Sequence, residues 1–591
     1  MPEEKNKKRE VVLEGVPASP GISIGPCFVF AELTWDPVPT IISAEQVGEQ
    51  IQTFRNSVNS VLEELKQTYR KTQHQYGDEL AEIMEVQIAF LEDDIFLREV
   101  EELIESKLYD AAYATFLIFR EKKEHFLQMS DEYFRERALD IHALKERIIQ
   151  HILGREMPTS ISIDHPAIVI ADNLTPSETV NLHKQNVLGF ATNAGGRTSH
   201  TAIVAKALSV PAVVGLKKVT EMAETGSIVI LDGTHGKIIL NPSPPTINRY
   251  KKEQKHFLSL EKKLLKESAR ESVTRDGKKV CLHANIEFEE ELAQVKQVNA
   301  DGIGLYRTEG LFINRPDLPG EDEQAEMYTR VAKKIYPQKV VIRTADIGGD
   351  KVLPGILTTQ EENPFLGWRA IRFWLDHKIG FVAQLKAILR ANRQHNVQLL
   401  LPMISGLDEV YQVKELLKEA KAQLRKEGKP FGEPIELGVM IEIPSMVILA
   451  DVLAKEVDFV SIGTNDLVQY TLAVDRGNEK VAKLYSHFHP AILRMIKMII
   501  DAGQKENITV GMCGEMAGDP LAIPLLLAIG IHCFSASPTV IPEIKRIIRE
   551  LSITECEQLY RKVQSLTTTG EVVAVVKDFF HQKFPDIYVD N

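Results

Sequence analysis

The chain has 591 residues, 44% of them hydrophobic and 26% charged, which is the length and composition of several packed domains. A formal net charge of −13 excludes the basic face that nucleic-acid binding requires. Five scattered cysteines, odd in number and without CxxC spacing, suit a reducing cytosol and give no zinc signal. The most apolar run, Leu521 to Phe534, contains Pro524 and is too short to span a bilayer. Residues 1–10 are charged and lack the apolar core of a signal peptide. We therefore expect a cytoplasmic protein with a disordered segment at 1–10 and no membrane or nucleic-acid partner.

In chain order, Val11-Val12-Leu13, the turn residues Pro17, Pro20 and Gly21, and then Ile22 to Phe30 predict a strand–turn–strand piece. Over 44–153 the pattern changes to amphipathic helix. Ile51, Phe54, Val58, Val61, Leu62 and Leu65 share one face, so a helical bundle is inserted after the first strands. Between Asp78 and Glu105 stand eleven acidic residues and one basic residue, Arg98, which by default is a solvated helix face. Strands return at 167–170, 187–190, 212–214 and 227–230, predicting a compact α/β domain from 11–43 and 154–247. Pro242, Pro244 and Pro245 close it, and lysine-rich 248–272 reads as a linker helix.

Within that α/β domain, Gly195-Gly196-Arg197-Thr198-Ser199-His200-Thr201-Ala202 leads into the helical pattern 202–208. Two glycines allow a tight turn, and Ser199 is a good N-cap. His200 then falls in the first helical turn, where unpaired N–H groups and the helix dipole favour an anion. The bland alternative is a histidine that only helps cap the helix. The surrounding hydroxyls and glycines favour an imidazole that carries a phosphoryl group, provided a donor site exists elsewhere.

From residue 273 to the end, apolar strands alternate with helices. Candidate strands at 280–286, 302–306, 340–344, 398–403, 437–443, 459–463, 508–512 and 531–535 predict a (β/α)8 barrel. Arg307, Arg343, Glu442, Asn465, Asp466 and Cys513 each stand at or just past a strand's C-terminal end, the active-site face of that fold. Glu442 and Asp466 suit a magnesium ion that also holds substrate phosphate, the alternative being two ion pairs with rim arginines. Arg307, Arg343 and Arg476 offer planar forks for phosphate and carboxylate. Cys513 is either a core thiol or a donor that protonates a carbanion.

These motifs together resemble the Enzyme I family, the phosphoenolpyruvate–protein phosphotransferases of the bacterial sugar phosphotransferase system. The likeness runs through GVPASPGISIG (15–25), GGRTSHTA (195–202), GLYRTE (304–309), IRTADIGGDK (342–351), ENPFLGWRAIR (362–372), GTNDLVQY (463–470), DRGN (475–478) and GMCGEMAGDP (511–520). The resemblance implies that His200 is phosphorylated on Nε2, and that Arg307, Arg343, Asn465, Asp466 and Arg476 hold phosphoenolpyruvate. It further implies Glu442 and Asp466 as Mg2+ ligands and Cys513 as proton donor to the enolate. The helical insert would dock the phosphocarrier HPr, the barrel would form a homodimer, and the linker would let the histidine domain swing between donor and acceptor. A neutral imidazole must make the attack, so activity should fall as pH drops through its pKa.

Departures from the family pattern are Asn193 for Asp, Asp140-Ile141-His142-Ala143 for Asp-Val-Arg-Asp, and changes at 486–490 and 534–538. None removes a residue of the chemistry. A dikinase or synthase with the same histidine domain and barrel would need an ATP-binding domain, and no Walker-type loop is present. A signalling relative is expected to carry a sensory domain ahead of the first strand, where this sequence has about ten mostly charged residues.

Overall fold

The computed structural model describes residues 9–30, 37–76, 87–88, 90–128, 141, 144–154, 165–174, 186–195, 205, 210–312, 317–349, 361, 363–475, 478, 481–585 and 587. The chain divides into two compact units, Met1–Leu260 and Glu261–Asn591.

In the first unit the early strands are three: β1 (Val11–Glu14), β2 (Val16–Ser19) and β3 (Ile22–Phe30). They join β4 (Ala167–Ala171), β5 (Val187–Thr192), β6 (Ala212–Val214), β7 (Ile228–Asp232) and β8 (Lys237–Leu240) in one eight-stranded sheet of order β1-β8-β7-β3-β4-β5-β6-β2. β1 and β2 lie at opposite edges yet are separated by Gly15 alone, so the sheet curls until its edges meet there. A Cβ at Gly15 would stand 2.5 Å from the Val214 carbonyl oxygen, which is why glycine occupies the junction. β4 is buried on both faces: Val169 and Ala171 enter one core with Phe190, while Ile168 and Ile170 enter another with Val213 and Leu231.

The insert contributes helices Val47–Tyr76, Asp94–Lys107 and Ala111–Gln128. Phe54, Val58, Val61 and Leu65 form the buried stripe, with Ile51 and Leu62 at its margin. They pack on Val100, Ile104, Ala114 and Ile148. The acidic stretch is less free than its sequence suggests. Glu101 binds Arg55, with Nη2 3.0 Å from Oε2, Glu92 pairs with Lys66 at 2.7 Å, and Glu99 with Lys122 at 2.6 Å. For these three carboxylates, neighbouring helices supply the cations. Pro244 and Pro245 begin a helix, Pro244–Glu267, four residues ahead of the expected linker helix. Pro244 is its first residue, where a missing N–H costs nothing.

The second unit is a closed barrel of eight parallel strands: β9 (Cys281–Ile286), β10 (Ile303–Tyr306), β11 (Val340–Arg343), β12 (Val397–Leu401), β13 (Glu436–Ile441), β14 (Phe459–Ile462), β15 (Thr509–Met512) and β16 (Cys533–Ala536). Each falls within a residue or two of the run expected for it. β16 pairs with β9 to close the ring. Leu305, Val341, Leu400, Met440, Phe459 and Cys513 form a cluster of their own, separate from the larger core between strands and helices. Trp374 is the largest fully buried side chain of that outer core. It stands edge-on to Phe312 and Phe373 and donates from Nε1 to the Ala345 carbonyl at 2.7 Å. Among the described residues no helix is long and apolar enough to cross a membrane.

Trp374→Ala should lower the stability of the barrel unit by about 3–5 kcal/mol, read as a fall in the denaturant midpoint of its unfolding transition.

Candidate active site

The charged residues of the barrel gather at the C-terminal ends of its strands. Arg343 is the last residue of β11 and is buried. Its Nη2 donates to Glu309 Oε1 at 2.7 Å and lies 3.8 Å from Asp346 Oδ2. Its Nε is buried without a hydrogen-bond partner among the described residues, an unspent donor on a permanent cation. Arg369 grips Asp346 with two parallel bonds, Nε to Oδ1 at 3.0 Å and Nη2 to Oδ2 at 2.6 Å. It also stands 3.6 Å from Asp466 Oδ2 and donates to the Tyr470 hydroxyl at 3.4 Å.

A second layer of bonds sets these groups in place. Asp346 N–H donates to Glu309 Oε1 at 2.7 Å, Thr308 Oγ1 to the Arg343 carbonyl at 2.8 Å, and Ala345 N–H to Gln384 Oε1 at 3.2 Å. Two rim residues hold left-handed backbone without being glycine, Ala370 at φ 51° and Met403 at φ 57°. Such strain persists where surrounding bonds over-determine it. Met403 uses its N–H to bind Glu442 Oε1 at 2.7 Å.

Glu442 follows β13 and is 2% exposed; a Cβ at Gly463 would come within 2.6 Å of its Oε2, so that glycine makes room for it. Burial pushes this carboxyl well above the usual carboxylate range. The nearby charge of Asp466 adds to the effect, and Arg343 partly offsets it. Asp466 lies in the first turn of helix Thr464–Leu472, directly after β14 and Gly463. The close ion pairs of the rim arginines therefore go to Glu309 and Asp346, not to the two carboxylates of the expected metal site. Glu442 keeps a backbone N–H and Asp466 a longer contact. Among the described residues two buried arginines thus stand with four buried carboxylates, Glu309, Asp346, Glu442 and Asp466. Among the described residues no three His, Cys, Asp or Glu side chains converge as a metal cage. One or two carboxylates are the protein donors magnesium takes, and Glu442 with Asp466 fit that set.

Asn465 is held by Glu515, accepting its N–H on Oδ1 at 2.8 Å and donating from Nδ2 to its Oε1 at 3.3 Å. Cys513 follows β15, 3% exposed, with its thiol 3.8 Å from the Ile462 carbonyl. Burial pushes that thiol up to about 11, so it stays protonated at neutral pH. Arg307 follows β10 half-buried, its N–H bonded to the Ile286 carbonyl at 2.9 Å. Arg307, Arg343, Glu442, Asn465, Asp466 and Cys513 thus all lie where strands end on one rim. His200 and Arg476 lie outside the described residues, as do His142 and Ala143.

Sequence reasoning missed Arg369, Glu309 and Asp346 as site residues, although all three stand inside motifs it singled out. The signal was available: a charged residue within an otherwise apolar run needs a buried partner. In the first unit, Asn193 at the foot of the histidine loop donates to Asp172 Oδ1 at 2.9 Å and Thr220 Oγ1 at 2.6 Å, and accepts the Val219 N–H at 2.6 Å.

Three family descriptions match the chain: PEP-utilising enzyme, N-terminal, over 14–137; PEP-utilising enzyme, mobile domain, over 163–236; and PEP-utilising enzyme, PEP-binding domain, over 261–553. The phosphoenolpyruvate-protein phosphotransferase of Staphylococcus carnosus (strain TM300) is 41% identical over 96% of this chain and 99% of its own length. That of Geobacillus stearothermophilus is 42% identical over 97% and 99%. That of Bacillus subtilis (strain 168) is 41% identical over 96% and 99%.

Asp346→Ala strips Arg369 of both close bonds and leaves a buried cation short of its partner. Urea unfolding should show a loss of about 3–5 kcal/mol, larger than for any single exposed ion pair of the insert.

Proposed function

Because this chain belongs to the phosphoenolpyruvate-protein phosphotransferase family and performs phosphoenolpyruvate-dependent phosphotransfer, we propose that His200 takes the phosphoryl group, with the barrel rim as donor site. The observation that carries the reading is the rim itself, where arginine donors, two carboxylates outside the closest arginine pairs and a protonated thiol meet on one face.

Arg307 and Arg343 bind the phosphate and carboxylate of the substrate with their planar forks, and Asn465 and Arg476 complete its grip. Glu442 and Asp466 hold Mg2+, which supplies charge neutralisation at the phosphoryl oxygens when bound. Neutral His200 Nε2 attacks phosphorus in line; the N–P bond forms as the bond to the enol oxygen breaks. Arg369 and Glu309 keep Asp346 and Arg343 aligned throughout. The Cys513 thiol gives its proton to the methylene carbon of the departing enolate, yielding pyruvate, and regains one from solvent. His200 then passes the phosphoryl group to the histidine of HPr, docked on the helical insert, as the first step of sugar uptake in the cytoplasm. Exposed Ile448, Leu449 and Val452, close after Glu442, support a homodimer built on the barrel unit.

Incubation with labelled phosphoenolpyruvate and Mg2+ tests the acceptor. Wild type should carry acid-labile, alkali-stable label, and His200→Ala none; equal labelling of both would refute the assignment. Cys513→Ala should lower kcat for pyruvate release by roughly 10²-fold or more with KM little changed, as for a proton lost from the transition state alone. For the partner, the acidic insert steers a basic phosphocarrier. Neutralising Glu79, Glu82 and Glu85 together should slow transfer at low salt and matter little at high salt. Stopped-flow on-rates that stay unchanged at low salt would exclude the steering role.

A further inference from the structure

At the N-terminal mouth of the barrel, opposite the rim, lies a second cluster of reactive side chains. β9 begins with Cys281 and β16 with Cys533, and the register sets the two side by side across the seam that closes the barrel. In-register neighbours on adjacent strands stand about 4.8 Å apart, inside the Cα range a disulfide spans. Alternation along β9 sends Leu282, Ala284 and Ile286 to the outer core, and Cys281, His283 and Asn285 to the opposite, lumen side. Cys533 Sγ lies 3.6 Å from His283 Nδ1. Cys281 is exposed and Cys533 half-buried, whereas Cys27, Cys513 and Cys556 are buried. Among the described residues no third ligand joins the pair in a metal site.

We propose that Cys281 and Cys533 form a reversible dithiol–disulfide site, oxidised by a hydroperoxide, with Cys281 as the attacking thiol and Cys533 as the resolving one. The roles follow from exposure, Cys281 being exposed and Cys533 half-buried, and from their pairing across the seam. The neighbouring Cys533 thiol lowers the Cys281 thiol from the ordinary thiol range, and the neighbouring Cys281 and then burial hold Cys533 well above it. The Cys281 thiolate attacks one peroxide oxygen: an S–O bond forms, the O–O bond breaks, and the departing hydroxide takes a proton to become water. Cys533 sulfur next attacks the sulfenic sulfur of Cys281. Its proton passes to Nδ1 of His283, whose ring burial keeps neutral, and hydroxide leaves and recovers that proton as a second water. In sum, two thiols and one hydrogen peroxide give one disulfide and two waters.

The bond would clamp the first barrel strand to the last. On those same strands, Ser535 Oγ donates to Asn285 Oδ1 at 2.6 Å, and Asn285 Nδ2 donates to the Cys513 carbonyl at 3.1 Å. The dithiol therefore sits at the foot of a bonded column that ends on the backbone of Cys513.

The test treats the full-length native protein with a slight excess of hydrogen peroxide, blocks remaining thiols, and maps peptides without reduction. The expected product is one Cys281–Cys533 cross-linked pair, two hydrogens lighter than its dithiol, abolished by dithiothreitol. In Cys533→Ser, Cys281 should stop at a sulfenic acid trapped by dimedone. Iodoacetamide at neutral pH should alkylate Cys281 ahead of the other four thiols. Wild type in which Cys281 passes to sulfinic acid without a cross-link, or in which Cys513 is oxidised first, would overturn the proposal.

Discussion

Charge buried at the barrel rim is the constraint on which the rest of this structure depends. Arg343, Arg369, Glu309, Asp346, Glu442 and Asp466 are all removed from water, and an isolated ion there would cost several kcal/mol. The cost is met by directed bonds from strand ends that are far apart in sequence: Glu309 reaches Arg343, Asp346 reaches Arg369, and Arg369 approaches Asp466. Only a closed barrel brings those ends onto one ring. The packed lumen below them is therefore what positions the chemistry, and the seam between β16 and β9 is part of the site's foundation.

The same residues explain why the rim suits a substrate that carries phosphate and carboxylate. Structural pairing uses Glu309 and Asp346, and it leaves Arg343 with a spare donor and Glu442 with a raised affinity for protons. A group held away from its ordinary ionisation by burial and a like charge gains most from a cation nearby. Cys513 shows the converse case. Burial that would disable a nucleophilic thiol keeps this one protonated, the state that the proposed proton donor requires. One rim thus combines a place for positive charge, a set of anion donors and an acid, each produced by a different local environment.

The first unit makes a comparable use of a single polar residue. At the foot of the histidine loop Asn193 donates to Asp172 while accepting from Val219 N–H. A carboxylate at 193 would set two like charges together there, and an amide satisfies both neighbours. Asn193 is thus matched to what faces it.

Much of this was legible in the chain itself. The period of apolar residues marked the helical stripe from Phe54 to Leu65, because a helix core needs only local spacing. The barrel strands were legible because each is a short apolar run ending in a polar residue, and the strand ends named Arg343, Glu442, Asp466 and Cys513 in advance. Pairing was not legible. Nothing local says that Gly15 separates strands at opposite edges of one sheet, that Arg55, Lys66 and Lys122 answer the acidic stretch, or that Arg369 belongs beside Asp346. Nor does it say that Cys281 and Cys533 are neighbours. Periodicity and motif order determine which elements form and which chemistry they carry, since both depend on near neighbours in sequence. Which charges meet, and so which remain free to bind a ligand, is decided by barrel closure and sheet order, because those contacts join residues that the chain itself holds far apart.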